Sequence, residues 1–237
     1  MTSRHAAPAL TALHTPSLRR EGPDHPYSSP MTELGLFPLR LVLFPGERLP
    51  LHIFEPRYRE LIGEAIEQDG EFGILLAEDQ GVRSVGTAVV VAEVVEQLPD
   101  GRLNIVVEGR SRFRVLELTT GRSFLTARVE PVEDEPDTAD AGDAERAVRL
   151  LEALAATAGV EIELPEPGAD LLSFAVAARV EMEVDDEQEL LELRSERERL
   201  VRLGGLLEEA TARAKLEGEV REKAKTNGHL PHKPELP

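Results

Sequence analysis

The chain has 237 residues, of which 41% are hydrophobic and 30% charged, with a formal net charge of −18. This is a globular composition, and its charge argues against nucleic-acid and anionic-membrane partners. There is no cysteine, which excludes disulfides, thiolate nucleophiles and cysteine zinc sites; a cytoplasmic setting fits.

Residues 1–30 hold His, Pro, Ser and Thr with Arg4, Arg19 and Arg20, and no sustained apolar period. They lack the apolar stretch of roughly 7–15 residues that a secretory signal needs. Glu21, Asp24, Pro8 and Pro16 argue against a transit peptide. The expectation is a disordered extension, with Met31 a candidate natural start. From Leu34 to Tyr58 the chain sets Pro38, Pro45 and Pro50 inside apolar runs, which an ordinary central strand does not tolerate. It reads as extended segments broken at Phe44-Pro45-Gly46, with Pro50 suited to an edge or bulge. Pro56 then opens a helix. Tyr58, Leu61, Ile62, Ala65 and Ile66 form its buried stripe, and Asp69-Gly70 closes it with Gly70 as the left-handed residue.

From Glu71 to Val132 the period is that of strands. Phe72–Leu76, Val85–Val95, Leu103–Val107, Phe113–Leu118 and Phe124–Val129 are separated by Asp100-Gly101 and Thr119-Thr120-Gly121 turns, both hairpin signals. Short strands at this spacing indicate a small antiparallel barrel or sandwich. Residues 133–145 are an acidic stretch with Pro136 and almost nothing apolar, and read as a mobile linker. Residues 146–217 are helical. One amphipathic helix ends at Gly159, and an apolar one spans Ala169–Val180. A third is capped by Asp185 or Asp186, and a fourth by Ser195 with Glu198. Gly204-Gly205 inside the fourth costs about 1 kcal/mol per glycine relative to alanine and points to close packing there. Residues 218–237 read as a frayed tail.

With both halves in view, the chain resembles the N-terminal substrate-binding domain of Lon protease. The residues that carry this are Leu36-Phe37-Pro38-Leu39, Val42-Leu43-Phe44-Pro45-Gly46, Leu49-Pro50-Leu51, Ile53-Phe54-Glu55-Pro56-Arg57-Tyr58, Phe72-Gly73, Val85-Gly86-Thr87, Leu103–Gly109, Arg112-Phe113, Gln188–Glu192 and Arg199-Leu200. They span about residues 34–210. The resemblance implies an α+β fold: a small, mostly antiparallel six-stranded PUA-like pseudo-barrel with one helix over residues 31–132, then a C-terminal helical bundle. Full-length Lon continues into an ATPase module and a Ser-Lys protease domain. This sequence holds no Gly-x-x-x-x-Gly-Lys-Ser/Thr phosphate loop, so the resemblance implies a stand-alone domain without catalysis.

No catalytic, cofactor or metal constellation stands out. His52 is the one histidine between residues 26 and 228 and reads as structural. Glu133-Asp134-Glu135 and Asp185-Asp186-Glu187 lack a calcium-loop pattern and read as solvated charge and helix caps. Ser111-Arg112-Phe113-Arg114 is a basic spot too small for a nucleic-acid stripe. In the resembled family an apolar patch on the sheet lobe is the proposed contact for unfolded polypeptide, which makes Leu41, Phe44, Phe54, Glu55, Arg57 and Tyr58 the candidate peptide-binding residues. For the aromatic ones core packing competes with contact, and the helix dipole is reason enough for Glu55. The leading expectation is a binding module for unfolded or extended polypeptides. The alternatives are a regulatory or structural partner of a larger protease or ribonucleoprotein and, third, a cryptic hydrolase.

Overall fold

The computed structural model describes residues 32–136 and 140–227. Strands β1 (Thr32–Leu39) and β2 (Arg48–Ile53) precede α1 (Pro56–Gln68). Then come β3 (Phe72–Glu78), β4 (Gly81–Val82), β5 (Val85–Gln97), β6 (Leu103–Thr119) and β7 (Leu125–Pro131). Helices α2 (Ala141–Ala158), α3 (Leu172–Ala177), α4 (Val184–Glu192) and α5 (Glu196–Asn227) follow. The strands pair in the order β1-β7-β6-β5-β3-β4, and a parallel β1–β3 pairing closes the path into a ring. The other pairings are antiparallel. This is the expected α+β architecture. The sheet has seven strands rather than six, the extra one being the two-residue β4.

β6 is the spine. The two segments expected at Leu103–Val107 and Phe113–Leu118 are one 17-residue strand, pairing with β2 and β5 along its first half and with β5 and β7 along its second. Pro50 sits on β2, which lies off the ring on β6, an edge position where a missing donor is tolerated. Gly109 in mid-β6 lets the Phe44–Glu47 turn dock. The Gly46 amide donates to the Gly109 carbonyl and the Gly109 amide to the Glu47 carbonyl, both at 2.9 Å. A Cβ on Gly109 would stand 2.3 Å from the Phe44 carbonyl oxygen.

The stripe of α1 is as expected for Tyr58, Leu61, Ile62 and Ala65. They pack on Ile53, Phe72, Val89 and the inward residues Leu103, Ile105 and Val107 of β6; Ile66 stays outside. Its left-handed terminal residue is Asp69 (φ 47°), not Gly70. Aspartate is one of the few non-glycine residues that visits that region readily. In the helical lobe, Gly159 (φ 69°) closes α2 and Ser195 Oγ accepts from the Glu198 amide at 3.0 Å. Other boundaries differ from expectation. Asp140 caps α2 inside the expected linker, and the buried apolar helix is the six-residue α3. α4 starts after Glu183 with no side-chain cap, and α5 runs on to Asn227. Gly204 faces the Arg146 guanidinium of α2, whereas Gly205 faces open space. The expected N-terminal extension and residues 228–237 lie outside the described residues.

The two lobes share a core. Val42, Phe44, Leu76 and Val85 of the sheet lobe pack with Leu151, Leu154, Phe174, Leu190, Leu191 and Leu203 of the helices, and the Phe44 and Phe174 rings stack at 5.5 Å. The stretch expected to be a mobile linker is tied down over residues 133–136. The Glu135 amide donates to the Arg194 carbonyl at 2.9 Å and Arg194 Nε to the Glu133 carbonyl at 3.0 Å. Asp134 lies between two buried arginines. Arg112 of β6 donates to Asp134 and to the carbonyls of Leu191 (2.8 Å) and Leu193 (2.6 Å). Arg199 of α5, 0% exposed, donates to Asp134 (2.8 Å), Glu196 (2.6 Å), the Leu193 carbonyl (2.8 Å) and Ser173 Oγ (2.8 Å). Both guanidinium groups lie over the Phe174 ring, at 5.3 and 4.4 Å. Burial lowers the pKa of Arg112. For Arg199, burial acts in the same direction but the bonds to Asp134 and Glu196 outweigh it. Both remain charged, and the two carboxylates balance the two cations.

A second electrostatic feature crosses the same junction. Burial raises the pKa of Glu47, the last residue of the docked turn, to about 7, opposed by the Phe44 amide that donates to it. Glu187 on α4 is also raised to about 7, by burial and then by the charge of Glu47, opposed by a bond to the Val42 backbone.

Two outcomes are expected. Arg199→Ala leaves Asp134 and Glu196 short of a buried counter-charge and costs about 3–5 kcal/mol; Arg199→Lys restores only part, since an ammonium cannot replace the guanidinium fork. Urea denaturation checks both. Glu47 and Glu187 hold their protons to higher pH in the fold than in the unfolded chain, where each titrates near 4.5. Their contribution to stability is therefore greatest below the unfolded value and is lost as pH rises through about 7. Glu187→Gln raises the melting temperature by about 2–4 °C at about pH 8 and changes it little at about pH 5, as thermal unfolding at the two pH values will show.

Candidate functional site

The sequence at the head of α1 places charge and aromatic surface side by side. Glu55 is the cap residue in extended conformation (φ −70°, ψ 134°), and its side chain makes no cap bond. Its carbonyl accepts from the Tyr58 and Arg59 amides at 3.1 and 3.0 Å. The carboxylate instead accepts from Arg57, at 2.9 Å from Nε and 2.8 Å from Nη2, and the Arg57 guanidinium lies 4.5 Å from the centre of the Tyr58 ring. So Glu55 and Tyr58 together orient Arg57. Burial raises the pKa of the Tyr58 hydroxyl, with Arg57 opposing the shift.

The six expected contact residues separate by depth. Phe54 is 60% exposed and stacks on His52, the ring centres 6.0 Å apart. Glu55 and Arg57 are accessible beside it. Leu41 is half-buried against the sheet core. Tyr58 is 8% exposed, its ring 4.2 Å from that of Phe37. Phe44 is buried in the junction against Phe174. Phe44 and Tyr58 are thus buried, their rings anchoring the docked turn and α1. The surface that remains is Phe54, Glu55 and Arg57, with Leu41 partly accessible.

His52 adds polar structure that sequence reading missed. Its Nδ1 lies 2.6 Å from Asn104 Oδ1, and Asn104 Nδ2 donates to Glu96 Oε2 at 2.8 Å. The line runs across β2, β6 and β5 because His52 and Glu96 both stand opposite Asn104 in the register. The signal was the polar side of the Leu103–Val107 alternation, legible only once the strand partners are known. The basic spot is also reassigned: Arg112 is spent inside the lobe junction, and Arg114 pairs with Glu130 at 3.9 Å. In the second acidic run Asp185 pairs with Arg83 (3.2 Å) and Asp186 with Arg202 (2.5 Å). Among the described residues there is no cluster of three His, Cys, Asp or Glu that could hold a metal ion. No helix there is long and apolar enough to cross a membrane.

The architecture is a ring-bonded sheet lobe fused to a helical lobe, with an exposed aromatic and an ion pair at the head of α1. The model of the ATP-dependent protease La (LON) substrate-binding domain matches residues 33–209, and the chain belongs to that family. It is 30% identical over 176 residues to Lon protease 2 of Myxococcus xanthus, covering 67% of this chain and 21% of that protein. It is 32% identical over 178 residues to the Lon protease of Anaeromyxobacter dehalogenans, with the same coverage of 67% and 21%. The chain thus spans about a fifth of the length of these relatives. The crystal structure of a Lon N-terminal domain protein from Xanthomonas campestris superposes with a TM-score of 0.60 at 26% identity, over 73% of this chain and 96% of that one. The N-terminal domain of Mycobacterium avium complex Lon protease, 17% identical with a TM-score of 0.55 over 76% and 98% of the two chains, shares the fold.

The depth difference gives a direct test. Phe54→Ala leaves the urea midpoint nearly unchanged, because the ring is mostly in water already. Tyr58→Ala removes a buried aromatic and costs about 3–5 kcal/mol. Equal losses for both would contradict this arrangement.

Proposed function

We propose that this chain is a non-catalytic polypeptide-binding module that captures unfolded or extended segments on its sheet lobe. The observation that carries the reading is the family match over residues 33–209. The exposed Phe54 beside the Arg57–Glu55 pair supports it, since an accessible aromatic next to charge is the usual makeup of a peptide contact. Arg57 can pair with a client carboxylate or carbonyl, and Phe54 can cover an apolar side chain. Leu41 adds apolar area at the margin. A rigid helical lobe would then serve as an arm or partner dock. A cytoplasmic setting and a protease or other protein partner belong to the same proposal.

Titration of the full chain with a reduced, denatured and fluorescently labelled protein tests it by anisotropy. Saturable binding in the micromolar range is expected, weakened about tenfold in Phe54→Ala/Arg57→Ala. Absence of binding across several unfolded clients, with the folded forms of the same proteins as controls, would overturn it.

A further inference from the structure

β5 is paired on both sides only at its start. β3 covers it from Thr87 to Val89, and from Val90 to Gln97 its one strand partner among the described residues is β6. Among the described residues no strand pairs with the opposite edge of those eight, and Ala92–Gln97 are exposed. Beside it lies a groove of about 250 Å³ between the end of α1 and β5, lined by Ile66, Asp69, Gly70, Val91, Glu93 and Val94 among others. Ile66 and Val94, which both line it, are 41% and 44% exposed.

The charge of this place is one-sided. Asp69 and Glu93 line the groove, and no lysine or arginine does. Glu71 follows Gly70, and continuing the Phe72–Val89 register sets it level with Val90, where β3 ends and the open edge begins. One of its carboxylate oxygens is buried with no hydrogen-bond partner. A buried acceptor left unpaired is costly.

We propose that the Val90–Gln97 edge and its groove take an extended polypeptide segment of alternating basic and apolar residues, which adds to the sheet as a further strand. Backbone bonds along the edge would supply affinity and side chains alternating into the groove would supply selectivity. Apolar side chains fit between Ile66 and Val94, and basic ones meet Asp69 and Glu93. The register shifts at Val91/Glu93 and Val94/Glu96 interrupt the edge. Such bulges limit uncontrolled sheet growth, so each segment binds weakly and reversibly. This inference rests on the polypeptide-binding reading and names a place for it separate from Phe54.

The test uses the full chain and an eight-residue peptide alternating lysine and valine, matched in length to the open edge. Two analogues accompany it, one with glutamate for lysine and one N-methylated at alternate backbone nitrogens. Calorimetry or anisotropy is expected to give at least about tenfold weaker binding for each analogue, because one reverses the charge and the other removes strand-forming donors. Ile66→Ser/Val94→Ser, at two exposed positions, is expected to lose a similar factor. A denatured labelled client is titrated in parallel. Client binding without any preference among the three peptides overturns this inference and leaves the function standing. Binding of neither client nor peptide overturns both. The peptide comparison on the unmodified chain decides the matter even if the double variant does not fold.

Discussion

Two buried arginines that share Asp134 hold the two halves of this protein in one piece. Arg112 comes from the spine of the sheet and Arg199 from the longest helix, and both close over Phe174. Taking two guanidinium groups out of water is expensive, and attraction to one carboxylate would not cover it. The cost is met because Glu196, Ser173 and the carbonyls of Leu191 and Leu193 complete the bonding. A network this complete fixes geometry as much as it stabilises. It is also why residues 133–136, acidic and proline-bearing, run tied along the junction.

The rest of the arrangement follows from that joint. With the helices fixed against Val42, Phe44 and Val85, the Phe44–Glu47 turn is clamped between Gly109 and Phe174. The chain emerging from it runs through β2 into α1, so the position of Phe54 and Arg57 is set by a rigid support on both sides. The apposed Glu47 and Glu187 work against the joint when both are ionised. The junction is therefore strong in shape but sensitive to pH, while the surface at the head of α1 depends on neither carboxylate directly.

Sequence reading reached what local chemistry decides. Proline at the first position of α1, glycine at the end of α2, the Ser195 cap and the Asp100-Gly101 hairpin are each specified within a few residues. The order of strands and helices follows from a change in period, and the family from the motif block at residues 36–58. What escaped it depends on distant partners. Arg112 alternates along a strand with Arg110 and Arg114 and looks like solvent-facing charge; its partner Asp134 lies 22 residues away, and that of Arg199 lies 65 away. The same limit applied to the candidate surface. Phe54, Tyr58 and Phe44 are alike in composition and neighbourhood, yet a turn docking on Gly109 and a helix packing on Phe37 bury two of them and leave one in water. Asp69 taking the left-handed place expected of Gly70 is a smaller case, in which two adjacent residues were both chemically able to close the helix.

The central claim is that clients are held on the sheet lobe while the helical lobe only supports it. Hydrogen exchange of the full chain, with and without a saturating unfolded client, tests this most directly. The account predicts slowed exchange confined to the sheet lobe, around the head of α1 and along Val90–Gln97, with the amides of α2 to α5 unchanged. Protection in the helices with none in the sheet lobe would contradict it.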